Sequence, residues 1–517
     1  MHPLPLTSRR NPRQSLKGAF VALAAMVAAP LLVPAATSAR PPNILFIATD
    51  DLNTWVGPLD SAVKAKTPNL DRLAARGVTF LQAQTCGTYC APSRAALFTG
   101  RHPATTGVYN TQVYWREHPD LRPLQIALQQ ADYQTFGAGK LFHHPAGFVD
   151  LRGWTEFYVR TEAQRRSGWP VDSWRQGAPL PSNRPNSKFV RDQPSHTNSG
   201  FLEYAALPDV TEKDMADTVQ TDWLIGVLQQ RHDRPFFAAM GMYAPHYPNY
   251  APKKYYDLYP LDEIVLPPIK DDDTEDLPPI PRRIAENRKK TIVNKLHELG
   301  IMKEAIQAYL ACISYADAQL GRILDALDAS PERDNTIVIF WSDHGYHLGE
   351  KGQWGKHTLW KETAHVPFIW AGPGIASGAR IPTPVSTIDL FPTLVELCHL
   401  APDQGLEGVS LVPVLRNPSS ATNRTILLCD HNRGGYTLVN QQWRYIHYPD
   451  GTEELYQLSQ DREEWFNLAS QERYHPIIEE MKKSAPKSFA PAGLESNQLR
   501  LIIEDERFRW EPKRPRS

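Results

Sequence analysis

Cysteine is scarce in this chain: five in 517 residues, Cys86, Cys90, Cys312, Cys398 and Cys429. An odd count leaves at least one thiol unpaired or chemically used, and nothing in the sequence assigns pairs. Cys312 falls in an apolar helical pattern and reads as a small core residue rather than a cross-link. Net charge is nearly absent as well. Lys and Arg number 56 against 57 Asp and Glu, so no global field favours nucleic acid or an anionic membrane. Any preference for an anionic ligand must come from local groups. Internal repeats and long low-complexity tracts are missing. The one long apolar stretch, Gly18 to Ala36, is interrupted by Pro30 and Pro34, which argues against a permanent membrane span. Arg9, Arg10, Arg13 and Lys17 precede it and small residues run on to Ala39. Residues 1–39 therefore read as a secretory signal, and the mature protein as exported, periplasmic or extracellular.

What is present is ordinary for a globular protein, with 41% apolar residues in a chain long enough for one or two domains. Asn43 to Thr49, Pro235 to Tyr243, Thr336 to Trp341 and Val366 to Trp370 are short apolar runs that read as buried strands. Thr67 with Pro68 opens a helix as N-cap and first residue. Leu124 to Gln130, Glu212 to Gln229, Lys303 to Leu327 and Ser386 to Leu397 read as further helices. Alternating strands and helices from Asn43 to His399 predict an α/β fold with helices on both faces of a parallel sheet. Asp150 to Pro208, with Trp154, Trp169 and Trp174 but no period, reads as a long surface insertion. Asp271 to Pro281 reads as a linker or exposed loop. After Asn417 come short strand candidates at Thr425 to Leu428, Tyr436 to Val439 and Trp443 to Tyr448, then a helix from Glu479. The expected division is a catalytic domain at 40–417 and a small α+β subdomain at 418–517.

The most informative stretch is Cys90-Ala91-Pro92-Ser93-Arg94-Ala95-Ala96-Leu97-Phe98-Thr99-Gly100-Arg101. Pro92 suits a first helical turn, and Gly100 can close the helix at positive φ. Cys90 then sits at a helix N-terminus, where free N–H groups favour an anion, with Arg94 one turn on. Taken alone, Cys90 also reads as a buried structural residue or as half of a disulfide to Cys86. Tyr133 to Ala138 also reads as a strand, and polar residues end four predicted strands: Asp50-Asp51, Lys140 with His143, His246, and Asp343-His344. In open α/β sheets ligands bind outside those ends. The aspartates are hard oxygen ligands suited to Ca2+ or Mg2+; a solvated acidic loop is the alternative for Asp50-Asp51.

Cys-x-Pro-Ser-Arg-x-x-x-Phe-Thr-Gly-Arg resembles the signature of the type I sulfatases. The resemblance extends from about Pro42 to Leu468, through Gly139-Lys140-x-Phe142-His143, Pro245-His246, Gly349 to Lys356, and Glu454-Leu455-Tyr456-Gln457-Leu458 followed by Asn467-Leu468. Asp-His at 343–344, where many members have Asn or Gln in place of His344, resembles the iduronate-2-sulfatase-like group; imidazole is a softer ligand than hard cations usually choose.

The resemblance implies an alkaline-phosphatase-like sandwich with a mostly parallel central sheet, and hydrolysis of a sulfate ester on a carbohydrate, such as a sulfated uronic-acid glycan. It implies that a maturation enzyme converts Cys90 to Cα-formylglycine. It implies a Ca2+ held by Asp50, Asp51, Cys90, Asp343 and His344, and catalysis by Cys90, Arg94, Lys140, His143, His246 and Lys356. His143 would take a proton from the formylglycine hydrate, and His246 would protonate the leaving alcohol. His347, His357 and His365 read as pocket or structural residues. A phosphonate or phosphate monoester hydrolase of the same superfamily, and a noncatalytic carbohydrate-binding protein, are the competing readings.

Overall fold

The computed structural model describes residues 40–143, 147–158, 204–207, 211–288, 292–504 and 507–513. The expected signal at 1–39, His144, Trp169 and Trp174 lie outside the described residues.

The run Asn43–Thr49 (β1) is buried at every position. That is why it is continuously apolar: both sides of the strand are covered. Its side chains alternate between two cores. Leu45 and Ile47 pack with the helices Pro68–Ala75 (α1), Ala216–Leu228 and Met302–Asp328. Ile44, Phe46 and Ala48 pack against Cys90–Thr99 (α2), Leu124–Gln130 (α3) and Leu390–Leu397. The period of two along one strand thus produces a helix–sheet–helix sandwich.

The sheet has eight strands. Besides β1 they are Gly77–Phe80 (β2), Gln134–Gly139 (β3), Glu156–Phe157 (β4), Phe236–Gly241 (β5), Thr336–Ser342 (β6), Phe368–Ala371 (β7) and Ala379–Ile381 (β8), in the order β8-β2-β7-β6-β1-β5-β3-β4. All neighbours pair in parallel except those of β7, which opposes both β6 and β2. β1 is central, between β5 and β6, so the ends of these three strands open side by side. Gly139 ends β3 at φ +73, and a Cβ there would lie 2.0 Å from the Gly241 carbonyl oxygen. Only glycine fits where the chain turns from β3 into Lys140.

The first part of the expected insertion after Asp150 instead belongs to the sheet. β4 pairs with β3, and Trp154 stacks on Phe237 with ring centroids 5.8 Å apart. Two residues of strand carry no readable period, which is why the pattern concealed it. The acidic stretch 271–281 is not a linker. Asp273 is buried and ion-paired to Lys351 at 2.8 Å, and a helix starts within the stretch at Pro279–Arg288 (here α5, with Ala216–Leu228 as α4). Thr67 is the N-cap of α1 by position only. Its hydroxyl accepts from the Gly57 N–H at 2.8 Å and makes no cap bond.

A four-stranded antiparallel meander follows: Ile426–Cys429 (β9), Tyr436–Val439 (β10), Trp443–His447 (β11) and Glu453–Gln457 (β12). One face packs on Leu359 and Trp360. The other packs on the helix His475–Lys482, which starts four residues before the predicted Glu479. Glu454, fully buried, accepts from Trp360 Nε1 at 2.8 Å, Tyr448 Oη at 2.6 Å and Tyr456 Oη at 2.5 Å. These bonds satisfy a carboxylate that burial alone would make costly.

Candidate active site

The residues at the carboxyl ends of β1, β3, β5 and β6 meet the N-terminus of α2. Cys90 is its first helical residue, and Gly100 ends it at φ +68. All of α2 is buried, and so is the Cys90 thiol. Around Cys90 Sγ lie Lys356 Nζ at 3.2 Å, His344 Nε2 at 3.2 Å, Asp50 Oδ1 at 3.5 Å and Lys140 Nζ at 3.9 Å. All five cysteines are free and buried. Cys86 Sγ faces Thr387 Oγ1 at 3.1 Å. A Cys86–Cys90 disulfide is therefore not formed, and Cys312 lies in the core as expected.

Ligand atoms of Asp50, Asp51, Cys90 and His344 all fall within 4.8 Å of one another, and all four residues are buried. Asp51 Oδ2 makes no hydrogen bond among the described residues. Burial pushes the Asp51 carboxyl up to about 8; Lys356 opposes this, while Asp50 and Asp343 add to it. Asp50 moves the other way. Lys140, His246 and Arg94 together outweigh its burial and hold it well below the usual carboxylate range. Two adjacent carboxylates thus share one buried site, each with a lysine partner, Lys140 for Asp50 and Lys356 for Asp51, and Asp51 keeps an oxygen that no donor reaches among the described residues. A divalent cation would relieve the crowded negative charge. His344 donates from Nδ1 to the Gly345 carbonyl at 2.9 Å, which leaves the Nε2 lone pair facing the cluster. Burial pushes His344 down to about 4, so the ring is neutral and able to ligate. The donor set fits a hard cation with one imidazole at its edge.

Asp343 stands beside this group. Its Oδ1 accepts from the His344 N–H at 2.9 Å and the Asp51 N–H at 3.3 Å, and its Oδ2 accepts from Arg94 Nε at 2.9 Å. Arg94 is buried beneath the carboxylates. It also approaches Asp50 Oδ2 at 3.4 Å and donates to the Thr49 carbonyl at 3.1 Å and to the Lys140 carbonyl. Lys140 Nζ pairs with Asp50 Oδ2, and Lys356 Nζ with Asp51 Oδ1 at 2.6 Å. His246 Nδ1 bonds the Tyr247 carbonyl at 2.5 Å, which aims Nε2 inward, 3.8 Å from Asp51 Oδ2. Burial, Lys140 and Lys356 push its pKa well below the imidazole range. His143 is a step further out. Its Nε2 lies 3.1 Å from the Tyr89 hydroxyl and its ring meets Phe148 edge-on.

Of the remaining histidines, His347 is buried against Thr358 and Trp360. His365 is half-buried, pairs through its backbone with Gln84 and borders a separate cavity. His357 stacks on Tyr89 at 4.7 Å and borders a cavity. Two supporting residues escaped the sequence reading. Tyr89 links Cys90 to His143 and His357, with Lys356 Nζ 5.6 Å from its ring centre. Asp217, buried on α4, accepts from the Tyr243 N–H at 2.9 Å and the Ala244 N–H at 2.9 Å, fixing the backbone that carries His246. Asp217→Ala leaves two buried N–H groups without an acceptor. It is expected to cost about 2–4 kcal/mol of stability, seen as a lower denaturant midpoint, and to lower turnover through a displaced His246. Unchanged stability and turnover would refute that role.

Three kinds of similarity to known proteins accompany this geometry. Residues 42–400 match a family model described as Sulfatase, and 349–488 match N-sulphoglucosamine sulphohydrolase, C-terminal. The chain is 36% identical over 465 residues to a sulfatase of Formosa agariphila, covering 88% of each protein. It is 31% identical over 412 residues to the iduronate 2-sulfatase of Mus musculus, covering 73% of this chain and 70% of the other. A solved 2-O GAG sulfatase superposes with a TM-score of 0.64 at 23% identity, covering 86% of this chain and 91% of that one.

Proposed function

The chain belongs to the sulfatase family, and from that premise we propose that it hydrolyses sulfate esters of uronic-acid-containing glycans by formylglycine chemistry with a bound Ca2+. The observation that carries this reading is the convergence on Cys90 Sγ of two lysines, an imidazole and a carboxylate, all within 4 Å. Burial and Asp50, against Lys140 and Lys356, raise the Cys90 thiol far above its ordinary range. A protonated thiol is a poor nucleophile, which supports Cys90 as the precursor of the nucleophile. Formylglycine at position 90 and the cation would together supply an oxygen nucleophile and an electrophilic pull on the sulfate.

The chain's own residues do the rest. With a cation bound, Asp50, Asp51 and Asp343 would all be ionised, three negative charges against three positive charges on Arg94, Lys140 and Lys356. A divalent cation would leave an excess of two positive charges, matched to an anionic ester and to the charge that develops as its S–O bond breaks. Asp50 and Asp51, supported by Asp343 and His344, hold the cation. Lys140 and Lys356 turn to the sulfate oxygens. The electron pair of the breaking bond goes to the sugar oxygen, which takes its proton from His246 Nε2. Burial and the two lysines keep free His246 neutral; the bound sulfate, being anionic, raises its pKa toward the range of an acid catalyst. His143, held by Tyr89, is the base assigned to sulfate release. The names of the iduronate 2-sulfatase and the 2-O GAG sulfatase support a glycan substrate. The basic and apolar N-terminal segment supports export, and maturation of Cys90 requires a partner enzyme.

The test compares leaving groups. In His246→Ala, kcat on a sugar sulfate falls about 10²–10⁴-fold, while an aryl sulfate with an acidic phenol loses far less. Equal losses would remove His246 as the acid. A wild-type preference for aryl phosphate over aryl sulfate would overturn the substrate class.

A further inference from the structure

Against His357, the residue after Lys356, lies a cavity of about 550 Å³, within the size range of small-ligand sites. Its lining includes Arg283, His357, Asp430, His431, Arg433 and Tyr448. We propose that this cavity is a subsite for a second anionic group on the substrate, a carboxylate or a second sulfate, read by Arg283 and Arg433. The proposal rests on the sulfatase reading above.

The cavity shares a wall with the reaction centre. His357 follows Lys356, whose Nζ contacts Cys90 Sγ at 3.2 Å, and its ring stacks on Tyr89, the residue before Cys90. His357 holds φ +70, a left-handed backbone uncommon outside glycine and concentrated at functional sites. Its ring also meets that of His431, at 5.0 Å. A sugar whose sulfate sits at Cys90 therefore extends past His357 into this space.

The wall is cationic, and its acid is already occupied. Asp430 accepts from His431 Nδ1 at 2.7 Å, the His431 N–H at 2.7 Å and Asn432 Nδ2 at 3.1 Å. It is buried, and these bonds turn its oxygens to His431 and Asn432. Among the described residues neither Arg283 nor Arg433 pairs with a carboxylate. Arg433 donates from Nε and Nη2 to the Phe489 carbonyl and from Nε to the Ala490 carbonyl, bonds that fix its plane without neutralising it. Arg283 comes from α5 and Arg433 from the turn after β9, so two distant pieces of chain present like charges to one space. Two guanidinium groups lining one space suit an anionic group that could accept from both.

The experiment uses the full-length matured enzyme, the double variant Arg283→Ala/Arg433→Ala and the charge-keeping Arg433→Lys. Four substrates are compared: an aryl sulfate, a disaccharide with a 2-O-sulfated uronic acid, the same disaccharide with its carboxyl reduced to the alcohol, and a carboxyl-free disulfated disaccharide. The double variant is expected to lose about 10- to 100-fold in kcat/KM on doubly anionic substrates, mainly through KM. Its aryl sulfate rate stays within about twofold, which also reports an intact fold, and Arg433→Lys recovers part of the loss. If the loss follows the uronate and vanishes on carboxyl reduction, the ligand is a carboxylate. If it follows the disulfated compound, the ligand is a second sulfate. Equal loss on all substrates, or none on any, overturns the subsite. A thermal shift with an unsulfated glucuronate disaccharide reads the site without turnover. Protection of the wild type but not of the double variant supports the subsite even if no sulfate ester is cleaved, an outcome that would sink the sulfatase reading alone. Absence of protection together with absence of turnover overturns both.

Discussion

Cys90→Ala is expected to abolish sulfate-ester hydrolysis, lowering kcat by about 10⁴-fold or more. The magnitude follows from the position of the atom removed. Two lysines, His344 and Asp50 converge on Cys90 Sγ, and all of them lose their target together. Removing the one group on which such a set acts costs nearly the whole chemical step, because the members work as a unit. The fold should survive. Alanine suits a helix, and Cys90 opens α2 without being a cross-link. Thermal unfolding within a few degrees of the wild type, beside a kcat reduced to the background rate, is the expected pair of results. A variant that still turns over at a substantial fraction of the wild-type rate would place the nucleophile elsewhere.

Asp51→Asn carries the second large effect, and it separates cation binding from chemistry. In the wild type, Ca2+ at 100 times its Kd should add about 2.7 kcal/mol of stability by mass action. Asp51→Asn should lose most of that gain along with activity, since Asp51 Oδ2 is a buried carboxylate oxygen without a hydrogen bond among the described residues. The cation-free proteins should show the reverse order. The Asp51 carboxyl is pushed up to about 8 by burial, Asp50 and Asp343 against Lys356. A raised folded-state pKa gives stability that is complete below the unfolded value and is lost as pH rises through the folded one. Stability of the cation-free wild type relative to Asp51→Asn should therefore decline between about pH 4 and pH 8, by up to about 1.4 kcal/mol per unit. Chelator-treated melting curves at several pH values check the slope. A flat difference, or an undiminished Ca2+ shift in the variant, would contradict it.

Much of the fold was legible because of where the sheet places its strands. β1, β5 and β6 are covered on both sides, so burial writes itself as unbroken apolar runs. Strand direction leaves no such trace, and the reversal of β7 between β6 and β2 could not be read. β4 is two residues long, and β12 opens on two glutamates, of which Glu454 is buried among hydroxyl and indole donors, so burial there leaves no apolar run. The same division holds at the site. Asp50, Asp51, Cys90, Lys140 and His344 could be named because strand ends and a helix N-terminus are local signals, whereas Lys356 was named through the family resemblance alone. Asp217 and Tyr89 could not. Asp217 acts on backbone 26 and 27 residues away, and Tyr89 on His143, 54 residues away. The sequence also left open what Arg94 faces, which depends on Asp343, 249 residues further on.

The central claim is that Cys90 is the precursor of the nucleophile in a sulfate-ester hydrolase. Mass analysis of the peptide spanning Cys90, taken from active enzyme purified from its native host, tests it most directly. The predicted peptide is lighter than the encoded one by one sulfur and two hydrogens, and heavier by one oxygen, the change from a thiol to an aldehyde. A fully active preparation whose Cys90 peptide keeps an unmodified thiol would contradict it.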